Sequence, residues 1–284
     1  MKNALEIKDL SRSYKDFALQ NLSLNLPAGC ILGLVGENGA GKSTTIKLIM
    51  NTIHRDSGSI TVMGTDNTSP QFQDVKQDIG VVLDEANFPE VLTARQVNKV
   101  MKYTFTRWDE AVYFDYIKRF DLPEKKAFKE FSRGMKMKLA IAVALSHHPK
   151  LLLLDEATGG LDPIMRDEIL DIFNEFTRQE DHSILMSSHI VSDLEKSCDY
   201  IAFLHKGRLL FCEEKDRLLE KYGILSCSRE ELEKLPAGTV YGRTRSSSYG
   251  GVEALADRTK IPAGMKVSHA GIEDIIVFLA KKEG

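Results

Sequence analysis

The sequence predicts an α/β fold with a mainly parallel core sheet, an antiparallel N-terminal β part, a helical insertion and a small C-terminal α+β region. Short apolar runs, such as Cys30 to Val35 and Leu151 to Leu154, are typical of buried parallel strands. Stretches with helical spacing alternate with these runs, which indicates strand–helix–strand units. From Leu92 to Pro149 the helical spacing continues without a strand, and this stretch predicts the insertion.

Length and composition exclude several classes of protein. The chain has 284 residues, which suggests about two domains or one large one. Its 43% hydrophobic and 28% charged residues argue against wholesale disorder. With 38 basic and 41 acidic residues the net charge is −3, so we expect no nucleic-acid partner. No apolar run approaches the length of a membrane span, and the first residues lack the apolar segment of a signal peptide, so we expect a cytoplasmic protein.

The N-terminal third is predicted to begin with strands and turns. Leu22, Leu24 and Leu26 alternate with polar residues, and a turn follows at Pro27-Ala28-Gly29. A helix should follow Gly41. Further strands are predicted at 59–62 and 79–83.

The central third is predicted to hold three helices, within 97–105, 112–120 and 132–147. Strands return at 151–154, 183–186 and 200–204, with helices starting at Pro163 and Ser192 between them. We therefore assign residues 1–213 to one domain, with the helical insertion at about 86–149.

Residues 214–284 are assigned to a small accessory region. The charge-rich stretch 213–234 is interpreted as a solvated helix. Beyond it we predict a strand at 239–245, a helix at 252–258, a strand at 265–269 and an apolar helix at 272–279.

One glycine-rich segment carries a phosphate-binding pattern, G-x-x-x-x-G-K-[ST]. Its glycines allow backbone N–H groups to surround phosphate oxygens, and the following helix directs its positive end at the same point. Lys42 can reach the β- and γ-phosphates, while the Ser43 hydroxyl can bind Mg²⁺. The predicted nucleotide-binding residues here are Gly36, Glu37, Asn38, Gly39, Ala40, Gly41, Lys42, Ser43 and Thr44.

An acidic pair follows the aliphatic run at Leu151 to Leu154. Asp155 ends a predicted buried strand, at the edge of an α/β sheet where ligands bind, and can hold Mg²⁺. Glu156 follows one residue later and is suited to polarising an attacking water.

With these motifs in this order, the chain resembles the ATP-binding-cassette (ABC) ATPases, the nucleotide-binding subunits of ABC transporters. The resemblance covers about 5–213 and implies the P-loop NTPase fold of an ABC cassette. Gly36 to Ser43 resembles the Walker A loop, and Asp155-Glu156 the Walker B pair. Phe131 to Met135 is similar to the family signature LSGGQ, Gly160 to Pro163 to the D-loop, and Ser187-Ser188-His189 to the segment with the switch histidine.

The resemblance also implies roles for individual residues. Tyr14 corresponds to the aromatic side chain that stacks on adenine, and His189 to the histidine that contacts the γ-phosphate. Ser132 and Gly134 would bind the γ-phosphate of ATP held by a second subunit, so that two protomers enclose two nucleotides. The implied cofactors are ATP and Mg²⁺. The implied partners are a second ATPase subunit, identical or paired, and a membrane permease, through which alone the chain would contact the inner face of the membrane.

Four positions depart from the family pattern. Arg133 replaces the first signature glycine, Met135 replaces the signature glutamine, and Gly159 occupies the place of a common D-loop serine. Asp84 replaces the usual glutamine that touches Mg²⁺ and water, and it could still bind the metal. The loop that starts at Asp84 is expected to contact the permease through Phe88.

We therefore expect an ATPase subunit that energises an ABC transporter, an exporter, through a separate permease. Two alternatives remain open from the sequence: a nucleotide-gated regulator that hydrolyses ATP poorly, and an ABC-type ATPase that acts in translation or DNA maintenance.

Overall fold

The computed structural model describes residues 2–84, 88–246 and 251–280. Within these residues the strands form three sheets, and the predicted mixture of a parallel core sheet and an antiparallel N-terminal part is present. No helix in the described ranges is long and apolar enough to cross a membrane.

The N-terminal sheet is antiparallel and has the order β2-β1-β4-β5. Its strands are β1 (Asn3–Ser13), β2 (Ala18–Pro27), β4 (Ser57–Val62) and β5 (Thr65–Asp66). The alternating leucines of β2 are buried, as their spacing predicts.

The central sheet has the order β10-β9-β3-β8-β7-β6, and only β10 runs antiparallel to its neighbour. Its strands are β3 (Ile31–Val35), β6 (Ile79–Val82), β7 (Leu151–Asp155), β8 (Ser183–Ser188), β9 (Tyr200–His205) and β10 (Arg208–Glu214). Every residue of β3, β7 and β8 is buried. In β3 and in Leu151 to Leu154 of β7 this burial corresponds to continuous apolar runs, whereas β8 also buries three serines.

Helices cover this sheet on both faces. They are α1 (Lys42–Ile49), α2 (Phe72–Val75), α3 (Ala94–Thr104), α4 (Glu110–Arg119), α5 (Arg133–Leu145), α6 (Pro163–Phe176) and α7 (Val191–Ser197). Leu151 and Leu153 pack in a core with α1 and the antiparallel sheet, whereas Leu152 and Leu154 pack on the opposite face with α5 and α6. The three helices α3, α4 and α5 lie between β6 and β7, within the stretch predicted to be helical.

The C-terminal region differs from the prediction at two places. Its elements are α8 (Lys215–Lys221), β11 (Tyr222–Cys227), α9 (Arg229–Glu233), β12 (Val240–Ser246), β13 (Val252–Asp257), β14 (Lys266–His269) and α10 (Ile272–Ala280). The expected helix at 252–258 is wrong, since 252–257 form a central strand of the sheet β12-β13-β11-β14. The expected solvated helix at 213–234 is interrupted by β11, whose first four residues are buried.

Burial between neighbouring strands explains both differences. Ala254, Leu255 and Ala256 are completely buried, because β13 has a strand on each side and packing on both faces. Tertiary packing of this kind overrides the local helix preference of alanine. The last helix, α10, packs against α7. Its residues Ile272, Ile275 and Phe278 belong to the same hydrophobic core cluster as the buried residues of α5 and α6.

Candidate functional site

Three loops meet at the carboxyl ends of three adjacent strands, β3, β8 and β7. They carry the Gly36 to Ser43 segment, His189 and the Asp155-Glu156 pair, respectively. Since parallel strands end at the same edge of a sheet, residues that are far apart in the sequence are brought to one place.

The glycine-rich loop connects β3 to α1. Gly41 precedes α1 with a φ of 113°, a left-handed conformation that favours glycine. A Cβ atom on Gly36 would lie 2.2 Å from the carbonyl oxygen of Leu204, so no side chain fits there. The loop therefore follows the end of β9 closely and leads directly into the first turn of α1.

Lys42 is buried at the first position of α1, with 6% of its surface exposed. Its ammonium group donates to the carbonyl oxygens of Gly36 at 2.8 Å and Glu37 at 3.3 Å. The same nitrogen lies 3.4 Å from Oε1 of Glu156. The lysine is thus held across the loop with its charge directed at the acidic end of β7.

Glu156 leaves β7 in a left-handed backbone conformation, with a φ of 52°. This is uncommon for a residue with a side chain, and the surrounding contacts stabilise it. Its N–H donates to the carbonyl oxygen of Ser187 at 3.1 Å. Its Oε2 accepts from the N–H of His189 at 3.3 Å and lies 2.6 Å from Nδ1 of the same residue.

The contact between Glu156 and His189 fixes the position of a proton. A carboxylate only accepts hydrogen bonds, so Nδ1 of His189 carries the hydrogen that it donates to Oε2. The other carboxylate oxygen, Oε1, is buried and lies 3.4 Å from the ammonium of Lys42, but it accepts no hydrogen bond from the described residues. Glu156 is therefore oriented through one oxygen and keeps the second available for a further donor.

Asp155 is 4% exposed and accepts a 2.6 Å hydrogen bond from the hydroxyl group of Ser187. Among the described residues there is no group of three acidic, histidine or cysteine side chains with the geometry of a metal site. The predicted metal ligands are therefore distributed: Ser43 and Asp84 line a common cavity, while Asp155 lies at the end of β7.

This cavity has a volume of about 320 Å³. Its lining residues are Phe17, Asn38, Gly39, Gly41, Lys42, Ser43, Thr44, Asp84 and Glu156. Most of these were expected from the sequence, but Phe17 was missed. The signal that could have identified it is an aromatic residue in the same β1–β2 turn as Tyr14.

Tyr14 is 44% exposed and is not among the residues that line the cavity. Its ring centroid lies 6.3 Å from that of Phe17, and the guanidinium group of Arg12 lies 5.1 Å from the Tyr14 centroid. Both aromatic side chains thus extend from one turn, and Phe17 is the one next to the glycine-rich loop.

The segment that resembles the family signature begins α5. As predicted, Ser132 caps this helix, and its hydroxyl accepts from the N–H of Met135 at 3.3 Å. Neither Ser132 nor Gly134 lines the cavity of its own chain. Arg133, by contrast, contacts Asp84, with 2.6 Å between Nη2 and Oδ1.

The loop that begins at Asp84 is described only in part. Its residues 85–87, which include the acidic Glu85 next to Asp84, lie outside the described residues. Phe88 was expected to face a permease, but its half-buried ring packs edge-on against Phe128, with 5.4 Å between the centroids.

Comparisons with known proteins identify a consistent set of relatives. The family model described as "ABC transporter" matches residues 19–159. The chain is 36% identical over 215 residues to the lantibiotic transport ATP-binding protein SrtF of Streptococcus pyogenes, covering 75% of this chain and 91% of that protein. It is 33% identical over 213 residues to the bacitracin transport ATP-binding protein BcrA of Bacillus licheniformis, covering 74% and 69%, respectively. Among solved structures, an ATP-binding subunit of an ABC transporter matches with a TM-score of 0.69 and 29% identity, over 76% of this chain and 91% of that one.

Proposed function

The chain belongs to the ATP-binding proteins of ABC transporters and hydrolyses ATP to energise transport, and from this premise we propose which of its residues carry out each step. The observation that supports the proposal most directly is the position of Glu156, between Lys42 and His189 at the cavity that the glycine-rich loop lines.

Binding of ATP is assigned to the loop from Gly36 to Thr44. The N–H groups at the start of α1 and the charge of Lys42 would hold the phosphates. In this arrangement Lys42 exchanges its two carbonyl acceptors for phosphate oxygens, which are stronger acceptors because they are charged. Phe17 and Tyr14 are the aromatic candidates for contact with the base.

The side chains present are suited to Mg²⁺, which prefers oxygen ligands and retains several waters. Ser43 and Asp84 border the cavity, and Asp155 provides a buried carboxylate at the sheet edge. These three residues would hold the ion, either directly or through water. When bound, the ion would neutralise charge on the β- and γ-phosphates.

Hydrolysis is assigned to Glu156 as the general base. Its Oε1 accepts no hydrogen bond from the described part of the chain and would accept the hydrogen of an attacking water. His189 holds the opposite oxygen, so the carboxylate keeps one orientation. Ser132 and Gly134 lie outside the cavity of their own chain, which supports their assignment to the nucleotide of a second ATPase subunit.

The permease partner is proposed from an exposed apolar surface on the helical insertion. Tyr103 is 94% exposed and Val100 45% exposed, and both lie on one face of α3, one turn apart. Exposed apolar side chains on one helix face indicate a protein contact. We assign this surface to a permease at the inner face of the membrane, and the two relatives named for peptide antibiotics support export of an antibiotic peptide.

Domain boundaries are proposed at the end of β10. Residues 1–213 would form the ATPase domain, with the insertion at 86–149, and 214–284 the accessory region. The separate sheet β12-β13-β11-β14 in the second range supports this division.

Substitution of Glu156 by Gln tests the proposed catalytic role. Glu156→Gln should retain ATP binding and lose about 10²- to 10⁴-fold in hydrolysis rate, the usual contribution of one general base. ATP binding is measured by calorimetry and hydrolysis by phosphate release. Glu168→Gln, which removes an acid paired with Arg119 on the outer surface, is the matched control and should hydrolyse at the parental rate. Parental hydrolysis in Glu156→Gln would contradict the assignment.

A second experiment tests the permease surface. Tyr103→Ala should leave the ATPase rate of the isolated subunit unchanged and reduce stimulation in the reconstituted complex by about tenfold, the effect of losing one buried aromatic anchor at an interface. Lys99→Ala, which alters an exposed residue of the same helix, is the control. Equal stimulation of both variants and the parent would refute the surface.

A further inference from the structure

Three of the four positions that differ from the family pattern, Asp84, Arg133 and Gly159, lie together in the structure. Arg133, at the first position of α5, forms an ion pair with Asp84 across 49 positions of the sequence. The aliphatic part of the same side chain lies against the Gly159-Gly160 pair, which follows Glu156. The sequence gives no indication that these positions interact, because they belong to three separate segments.

The glycine pair makes the path of Arg133 possible. A Cβ on Gly160 would lie 3.2 Å from Cδ of Arg133, and Gly160 has a φ of 76°, which disfavours a side chain there. A Cβ on Gly159 would lie 3.8 Å from Nη2 of Arg133 and only 3.0 Å from the carbonyl oxygen of Glu156. A side chain at Gly160 would therefore press against Arg133, whereas one at Gly159 would press against the carbonyl oxygen of Glu156, and the two glycines together leave room for the Arg133 side chain.

The contribution of this ion pair to folding stability is small. The side chains of Arg133 and Asp84 are 64% and 46% exposed, and exposed ion pairs contribute little to the free energy of unfolding. The ion pair has a larger effect on the net charge at the cavity. Of the described residues that line the cavity, Lys42 carries one positive charge, while Asp84 and Glu156 each carry a negative charge. When no Mg²⁺ is bound, an uncompensated Asp84 would repel the phosphates of a nucleotide in this cavity.

We propose that Arg133 is a positioning residue for nucleotide binding, which neutralises and orients Asp84 from across the Gly159-Gly160 pair and so allows a carboxylate at the phosphate cavity. Arg133 acts through Asp84 and not through the nucleotide of its own chain. Three of the four departures from the family pattern are then one unit: an acid in place of the usual amide, its counter-charge, and the glycine that, with Gly160, gives the counter-charge room. This inference rests on the assignment of the cavity to ATP.

The test measures nucleotide affinity, not hydrolysis, in the full-length protein. Affinities for a non-hydrolysable ATP analogue and for ADP are measured by calorimetry, in EDTA and with Mg²⁺. In EDTA, Arg133→Gln should weaken binding of the analogue about threefold to tenfold, because the Asp84 charge is then uncompensated near the phosphates. The loss should be smaller for ADP, which has one phosphate fewer.

A double variant separates positioning from direct contact. Asp84→Asn removes the charge that Arg133 compensates, so Arg133→Gln combined with Asp84→Asn should bind the analogue as tightly as Asp84→Asn alone. Arg119→Gln, which breaks a similar exposed pair with Glu168, is the control and should leave affinity unchanged. Arg133→Lys keeps the charge and should recover part of the loss.

Two outcomes overturn the proposal. Unchanged affinity in Arg133→Gln means that the pair has no effect on the cavity. A loss that persists after Asp84→Asn means that Arg133 acts on the nucleotide without Asp84. The assignment of the cavity itself is checked in the same series by Lys42→Ala: if that variant also binds normally, the proposed function fails rather than this inference alone.

Discussion

Removal of the Glu195 carboxylate should loosen the attachment of the C-terminal helix. Glu195 lies on α7, and its Oε1 accepts the N–H of Ile272, the first residue of α10, at 2.6 Å. A helix N-terminus has unsatisfied N–H groups and partial positive charge, so an acceptor with negative charge is favourable there. Here the acceptor comes from a different helix, 77 positions earlier in the sequence.

The size of the effect follows from this single contact. A hydrogen bond to a charged group contributes about 1.5–3 kcal/mol. Glu195 is half-buried, so water replaces part of the lost interaction, and Glu195→Ala should lower the free energy of unfolding by about 1–2 kcal/mol. That corresponds to a decrease in Tm of about 2–8 °C. Glu195→Gln keeps an acceptor but loses the charge, and should show about half the effect.

Hydrogen exchange gives the more specific measurement. The amides of α10 should exchange faster in Glu195→Ala, with a change in opening free energy similar to the change in stability, while those of β3 and β8 should remain as in the parent. Lys215 donates to the backbone oxygen of Glu195 at 2.7 Å and is unaffected by the substitution. An unchanged Tm together with unchanged exchange of α10 would refute the reasoning.

Two further predictions concern ATP binding at the cavity and the stability of the fold at acidic pH. Lys42→Ala should abolish measurable ATP binding in calorimetry, because Lys42 is the one lysine among the described residues that line the cavity. Parental affinity would show that the Gly36 to Ser43 loop does not hold the phosphates. Burial lowers the pKa of His147, which stacks on Phe105 with 3.9 Å between the ring centroids. The unfolded chain therefore binds the proton more readily, and the stability contributed by His147 should be present above about pH 6.5 and decrease as the pH falls through that value. Between pH 7.5 and 5.5 the free energy of unfolding, measured with urea, should therefore decrease less in His147→Gln than in the parent. Equal decreases in both proteins would contradict this prediction.

The sequence predicts the core of the site because its signals are local. The glycine-rich loop, the strand that precedes it and the helix that follows it are contiguous, so each supports the interpretation of the others. The aliphatic runs at β3 and β7 are fully buried, and such strands are recognised from composition alone. The cap at Ser132 is likewise a short-range pattern, in which the hydroxyl bonds to an N–H three residues later.

Features that depend on distant contacts could not be predicted in this way. The pairing of Arg133 with Asp84 depends on how α5 sits against the end of β6, and neither segment contains that information alone. Phe17 was missed because its position at the cavity depends on the return of the β1–β2 turn to the glycine-rich loop. In the C-terminal region, β13 resembles a helix locally and becomes a strand because its neighbours bury both of its faces.

The order of the strands in the central sheet also determines when this chain can fold during its synthesis. β3 forms early in the chain, but both of its partners, β8 and β9, come from residues 183–205. Until the ribosome has released that stretch, an entirely apolar strand has no neighbour, and such a segment is prone to aggregate. Nucleotide cannot stabilise the nascent chain any earlier, because the cavity needs the carboxyl end of β7 in register with β8. The pairing of β3 and the first binding of nucleotide therefore both wait for the synthesis of β8.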